Sequence, residues 1–364
     1  MKKYRIQLNK VLAILFSVTL ICASSSMLVY AAEPIDSDNL QYDYVTELPD
    51  GGKIYTYIID GIENNFPVPP DGFDPITASD EALETYGFPP RPENLQDLAD
   101  WTETMSYYEY TPVPEIEQTE QVHGVFQPAV DYTKGTNLTN TAMTSANWSG
   151  YVAKGGTNAF AQVQGDFVQP TIQSGCSSNT YESTWVGLGG YNSQKLVQTG
   201  TAMNTVNGGR NYYAWYEYLG PGNSNPEIRF NSITVRAGDR IHCYCSFQRS
   251  NGVFNAYIAN NTNGTSQSVV LNIPTSTYYD GTSAEFINER PMLSNGTSSW
   301  YASLTKYGTT NWTNCQVYLS ASNKWVSLGS QSTDSITMKN NGRALATPSG
   351  LSGQTFKSTW NNYS

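Results

Sequence analysis

Two histidines, His123 and His242, are all that the sequence offers. Hydrolysis by a serine or a cysteine normally needs a histidine to take its proton. There is also no G-x-S-x-G elbow, no H-E-x-x-H zinc motif and no phosphate-cradling glycine loop. His123 falls in what reads as a leader. His242, flanked by Ile241 and Cys243, reads as a packed strand residue. Carboxylates are scarce as well, with only nine Asp and Glu in residues 136–364. Two of them, Glu285 and Glu289, stand four positions apart in TSAEFINERP. With histidine chemistry excluded, these acids become the natural candidates for catalysis.

Long apolar runs are lacking after the N-terminus. Lys2, Lys3, Arg5 and Lys10 precede VLAILFSVTLIC at 11–22, and small residues follow up to Ala31 and Ala32. That order reads as a secretory signal peptide over residues 1–32, too short in its apolar part to span a membrane, so the expected product is exported and not stably bound to membrane. Cysteine is sparse too. Once Cys22 is set aside with the signal, Cys176, Cys243, Cys245 and Cys315 remain. Export permits disulfides, so these read as bridges or buried thiols, with pairing left open. A metal site is disfavoured because His242 alternates onto the opposite strand face from Cys243 and Cys245.

Charge divides what is present. Residues 33–135 carry 22 acids against the bases Lys53, Arg91 and Lys134, whereas residues 136–364 carry nine acids against 13 bases. The first part is rich in proline, with short helices expected around SDEALETYG and NLQDLADWTETM. It reads either as a prosegment held electrostatically on a basic domain or as a solvated acidic linker. The second part alternates apolar and polar residues in short runs: ITVRAGDRIHCYCSF around the turn AGD, VFNAYIANNTNGTSQSVVLNI around NNTNGT, then WYASLTKY, CQVYLS and KWVSLGS. This is an all-β, antiparallel pattern, and 229 residues of it suggest one sandwich or barrel.

The segments NWSGYVA (147–153), STWVGLGGY (183–191), KLVQTG (195–200), YYAWYEYLGPG (212–222), ITVRAGDRI (233–241) and SAEFINERP (283–291) occur in one order. In that order the chain resembles the glutamic peptidases, also called eqolisins or peptidase family G1. FDPITASDEALETYGFPPRP (73–92) is similar to prosegments of bacterial members. The resemblance implies a two-sheet β-sandwich over 136–364, a prosegment over 33–135 acting as intramolecular inhibitor, and a monomeric acid endopeptidase on polypeptides. It needs no cofactor, metal or nucleic acid, and it is insensitive to pepstatin. The family's catalytic glutamine falls on Gln198 and its glutamate on Glu289. Glu285 takes a supporting place as a hydrogen-bonded structural carboxylate. Trp148, Trp185, Trp215 and Glu217 match positions that line or support the active site. Gly189 stands where fungal members carry aspartate, and TGTAM after the glutamine lacks their next aspartate.

The chemistry stands beside the resemblance. A glutamate with an ordinary pKa of about 4 can act as base and then as acid. A carboxamide offers two N–H donors and one acceptor, so it can orient water and donate to an oxyanion without changing charge. Two other readings remain open at this stage. Glu217 and Glu289 suit a sandwich glycosidase if their carboxyls lie about 5 to 9.5 Å apart, and the aromatic content suits a non-catalytic carbohydrate-binding sandwich.

Overall fold

The computed structural model describes residues 29–31, 40–127, 141–175, 179–220, 226–275, 278–294 and 298–363. Most of the expected signal peptide, the 135/136 boundary and Cys176 lie outside the described residues.

Alternating strands build two facing antiparallel sheets. The front sheet runs, in order of pairing, through Thr333–Asn340, Trp148–Lys154, Ser283–Glu289, Ser183–Gly189, Leu196–Val206, Gly209–Leu219 and Ile228–Thr234. The back sheet runs through Phe356–Trp360, Thr309–Leu319, Phe160–Val168, Arg240–Gln248, Val253–Asn260 and Thr265–Asn272. Strand Arg343–Pro348 joins the layers at one edge. Between them lies the main core, where Val186, Leu188, Val197, Tyr216 and Phe286 of the front meet Val163, Cys243, Cys245, Phe254 and Ala256 of the back. The front strands Ser183–Gly189 and Ser283–Glu289 are buried at every position, as expected when both faces of a sheet are covered.

The expected all-β sandwich is therefore observed, and NNTNGT closes the hairpin of Val253–Asn260 with Thr265–Asn272. The turn AGD does something else. Ile228–Thr234 pairs in the front sheet and Arg240–Gln248 in the back, so residues 237–239 carry the chain between layers instead of closing a hairpin. Cys243, Cys245 and Cys315 are free, buried thiols, so of the two readings of cysteine the disulfide one fails among the described residues.

The leader is folded, with helices at Asp80–Thr85 and Leu95–Met105 capped by Ser79 and Asn94. Its strand Ile62–Val68 extends the back sheet beside Thr265–Asn272, and Ile116–Gln118 extends the front sheet beside Ile228–Thr234. Phe66 packs on Tyr216 and Phe230, and Phe88 on Tyr257. Leu83, Tyr86, Trp101 and Met105 close over Tyr244, Ala259 and Trp325. Glu117 and Arg229 form an ion pair across the same seam at 3.7 Å. Magnitude decides between these contacts. A partly exposed ion pair is worth about 0–1 kcal/mol, whereas each fully buried aromatic or aliphatic side chain contributes about 1.5–3 kcal/mol. Apolar burial and strand pairing, not bulk charge, hold the leader in place.

Candidate active site

Strict alternation puts the candidate residues on one face. Because Gln198 pairs with Gly187 and Glu217, and Gly187 with Glu285, these four form one cross-strand row on the front sheet's outer face. Two residues along lies the row Ile287, Trp185, Gly200 and Trp215, and two further lies Glu289, Ser183, Ala202 and Tyr213. Side chains of alternate residues share a face. Gly200 keeps the middle of that face low, since a Cβ there would stand 2.2 Å from Thr184 O and 2.6 Å from Trp185 Cβ. Gly189 is equally constrained: with φ +99° and only 2.2 Å between a Cβ and Lys195 O, this backbone admits no aspartate there.

Glu289 is completely buried and held at both oxygens. Asn147 Nδ2 donates to Oε1 at 2.9 Å, and Trp185 Nε1 donates to Oε2 at 2.9 Å. At the other end of the face Gln198 Nε2 donates to Glu217 Oε2 at 2.6 Å, which fixes the amide plane. The carbonyl Oε1 of Gln198 is buried with no hydrogen-bond partner among the described residues. Burial holds the Glu217 carboxyl well above the usual range, the positive field of His123 offsetting only part of the effect. A carboxyl that keeps its proton to higher pH limits the negative charge beside the glutamine.

The groove between them is filled by the chain itself. Leader residues Gln121 and Val122 pair with strand Met292–Ser294. The N–H of His123 donates to Glu217 Oε1 at 3.4 Å, and that of Gly124 to Glu289 Oε1 at 3.1 Å. Trp148 Nε1 and Asn147 Nδ2 donate to Gly124 O at 3.0 and 3.1 Å, and the Phe126 N–H donates to Gly190 O at 2.9 Å. The His123 ring lies flat on Trp215, with centroids 4.0 Å apart and planes at 11°. Its Nδ1 is 3.1 Å from Glu289 Oε2 and its Nε2 is 2.7 Å from Glu227 Oε2.

The structure thus brings together Gln198, Glu289, Glu217, Trp148, Trp185 and Trp215 on one buried face. Glu285 is buried there too, and burial raises its pKa well above the usual range, with hydrogen bonding from the Ser283 side chain and the Gly189 backbone opposing part of the shift. It shares the face with Glu289 but sits two rows away, and the leader's hydrogen bonds reach Glu289 instead. The setting aside of His123 as a leader residue fails, because its ring enters the site. Asn147, Tyr213 and Glu227 were missed too. Asn147 begins the quoted NWSGYVA, a signal that was available; Glu227 lies beside Pro226 in no recognisable pattern. His242 is a buried strand residue bonded to Asp166 at 2.6 Å on the back sheet.

The sequence model of the Peptidase A4 family matches residues 146–360. The fold is similar to that of scytalido-glutamic peptidase with a transition state analog inhibitor, at 25% identity over 59% of this chain and 98% of that one, with a TM-score of 0.51. It is equally similar to the same peptidase with a peptide based transition state analog, at 26% identity, the same two coverages and a TM-score of 0.50. Among curated proteins no sequence matches the chain. The match over residues 146–360, on a sandwich whose buried face pairs a glutamine with glutamates, shows that the chain belongs to the Peptidase A4 family and is a glutamic endopeptidase of the eqolisin type.

Proposed function

We propose that the chain is the secreted, monomeric precursor of an acid-acting endopeptidase, with residues 1–32 as signal peptide, 33–135 as inhibitory prosegment and 136–364 as catalytic domain. In this reading Glu289 and Gln198 are the working dyad. Glu289 takes a proton from a water attacking the scissile carbonyl, then returns it to the leaving nitrogen. The free N–H of Gln198 donates to the developing oxyanion, while its other N–H stays tied to Glu217. Asn147 and Trp185 keep the two oxygens of Glu289 oriented throughout. Trp148 and Trp215 line the groove in which the polypeptide lies.

One observation carries the reading: a stretch of the chain's own backbone, residues 121–126, lies along the groove and bonds Glu217, Glu289 and the groove walls as an extended peptide would. Acid operation has separate support, because Glu182, Glu217 and Glu285 all hold their protons above the usual carboxylate range and so favour the fold at low pH. The test is hydrolysis of a denatured protein at pH 4 by wild type and by Glu289→Gln, with a polysaccharide as control. Wild type should digest the protein and leave the polysaccharide intact, unaffected by phenylmethylsulfonyl fluoride, iodoacetamide, chelators or pepstatin. A Glu289→Gln enzyme of near-normal turnover would overturn the assignment.

A further inference from the structure

We propose that Glu227, Trp215 and Tyr213 form a pocket for an imidazolium cation, occupied in this chain by His123 of its own leader. The proposal rests on the reading of the leader as inhibitor and of Glu289 and Gln198 as dyad, and adds the residue that anchors the leader there.

The geometry singles out a cation. His123 is 1% exposed, and each ring nitrogen faces a carboxylate oxygen, Nε2 toward Glu227 at 2.7 Å and Nδ1 toward Glu289 at 3.1 Å. An ionised carboxylate only accepts, and a neutral imidazole has a single N–H, so two such contacts need the doubly protonated ring. The flat stack on Trp215 is the arrangement in which an aromatic face attracts a planar cation. Burial alone would lower the imidazole's pKa. The hydrogen bonds to Glu227 and Glu289, with the charge of Glu289, more than offset it and leave the ring well above its usual 6.5.

The pocket is built, not incidental. Tyr213 OH donates to Glu227 Oε1, and so does Thr119 Oγ1 at 2.9 Å. Arg229 lies over the Tyr213 ring, 4.7 Å from its centroid. The ionisable groups facing His123 are therefore Glu227 at the start of strand Ile228–Thr234, Glu217 and Tyr213 on Gly209–Leu219, and Glu289 on Ser283–Glu289, with Glu182 beyond, its own carboxyl feeling the His123 charge.

The sign of the pH response follows. A raised imidazole holds its pairing fully below about 6.5 and loses it only as pH climbs through its folded pKa.

Two experiments on the full chain test this. With only two histidines in the sequence, imidazole nitrogen NMR of a Gln198→Ala precursor can follow His123 from pH 8 to pH 3.5. The ring should remain doubly protonated at pH 7 and become neutral there in the additional Glu227→Gln variant. A ring already neutral at pH 7 without that substitution would overturn the proposal. The second measurement is the pH at which the precursor begins to process itself. His123→Phe keeps a ring on Trp215 but no charge, and should shift the onset upward by at least one pH unit; an unchanged onset would overturn the proposal. If His123→Phe does not fold, the NMR titration decides alone. Processing of the Gln198→Ala precursor, or a wild type without proteolysis at any pH, would count against the dyad and not against the pocket.

Discussion

The leader and the domain it covers use carboxylates in opposite ways. Residues 33–135 hold 22 acids, and none of those described is buried. Residues 136–364 hold nine, of which Glu182, Glu217, Glu227, Asp239, Glu285, Glu289 and Asp334 are buried. The acid-rich part is thus the electrostatically quiet one, because exposed charges are screened by water and salt. The acid-poor part carries the pH response. Burial is the leading cause of the upward shifts at Glu182, to about 8, and at Glu217 and Glu285. Such a group keeps its proton in the fold at pH values where the unfolded chain has released it. Stability is then greatest below the unfolded pKa of about 4.5 and is lost as pH rises through the folded one. Few acids do not make the domain indifferent to pH; these few make it prefer acid.

That contrast can be broken in several ways. The largest expected effect is at the site: Gln198→Ala should cost about 10²- to 10³-fold in turnover, the worth of one oxyanion donor, with the near- and far-ultraviolet circular dichroism unchanged. Next comes Gly200→Ala. Its Cβ would press on Thr184 O and Trp185 Cβ in the middle of a sheet closed on both faces, so folded protein should fall sharply, measured as yield and thermal midpoint. Glu182→Gln comes third. The amide keeps an acceptor for Thr184 and Asn288 but cannot ionise, so at pH 8 it should raise stability by on the order of 3 kcal/mol, and at pH 4.5 by much less. Denaturant melts at the two pH values check this, and an equal gain at both would refute the burial argument. Smallest of all, Glu117→Gln should change leader retention at pH 7 by about 1 kcal/mol or less, and 1 M salt should not strip the leader off. Release by salt alone would restore the bulk-charge account.

Much of the fold was legible because alternation is a local property. The period of two in VFNAYIAN and SQSVVLNI marks strands, and NNTNGT between them marks a tight turn. Partner choice is not local. AGD has turn chemistry, yet the strands on either side belong to different layers, a fact set by where apolar faces meet across about 10 Å. The candidate site was legible through the motifs holding Gln198 and Glu289, and the alternation around Trp185 and Trp215 places them with it. His123 escaped for a physical reason: its partners Glu227 and Glu289 stand 104 and 166 residues away, and no spacing rule reaches that far. Between bridges and buried thiols the sequence could not choose, since only Cβ geometry decides whether a disulfide can form.

The central claim is that the leader's 121–126 segment blocks a face that is otherwise ready to work. It is tested most directly by assaying purified full-length precursor on a denatured protein at pH 7 and pH 4, with its size followed by mass spectrometry. The account predicts no hydrolysis while the leader is intact at pH 7, and hydrolysis at pH 4 that begins as the leader is lost. Hydrolysis at pH 7 by intact precursor, as fast as that of the processed enzyme at pH 4, would contradict it.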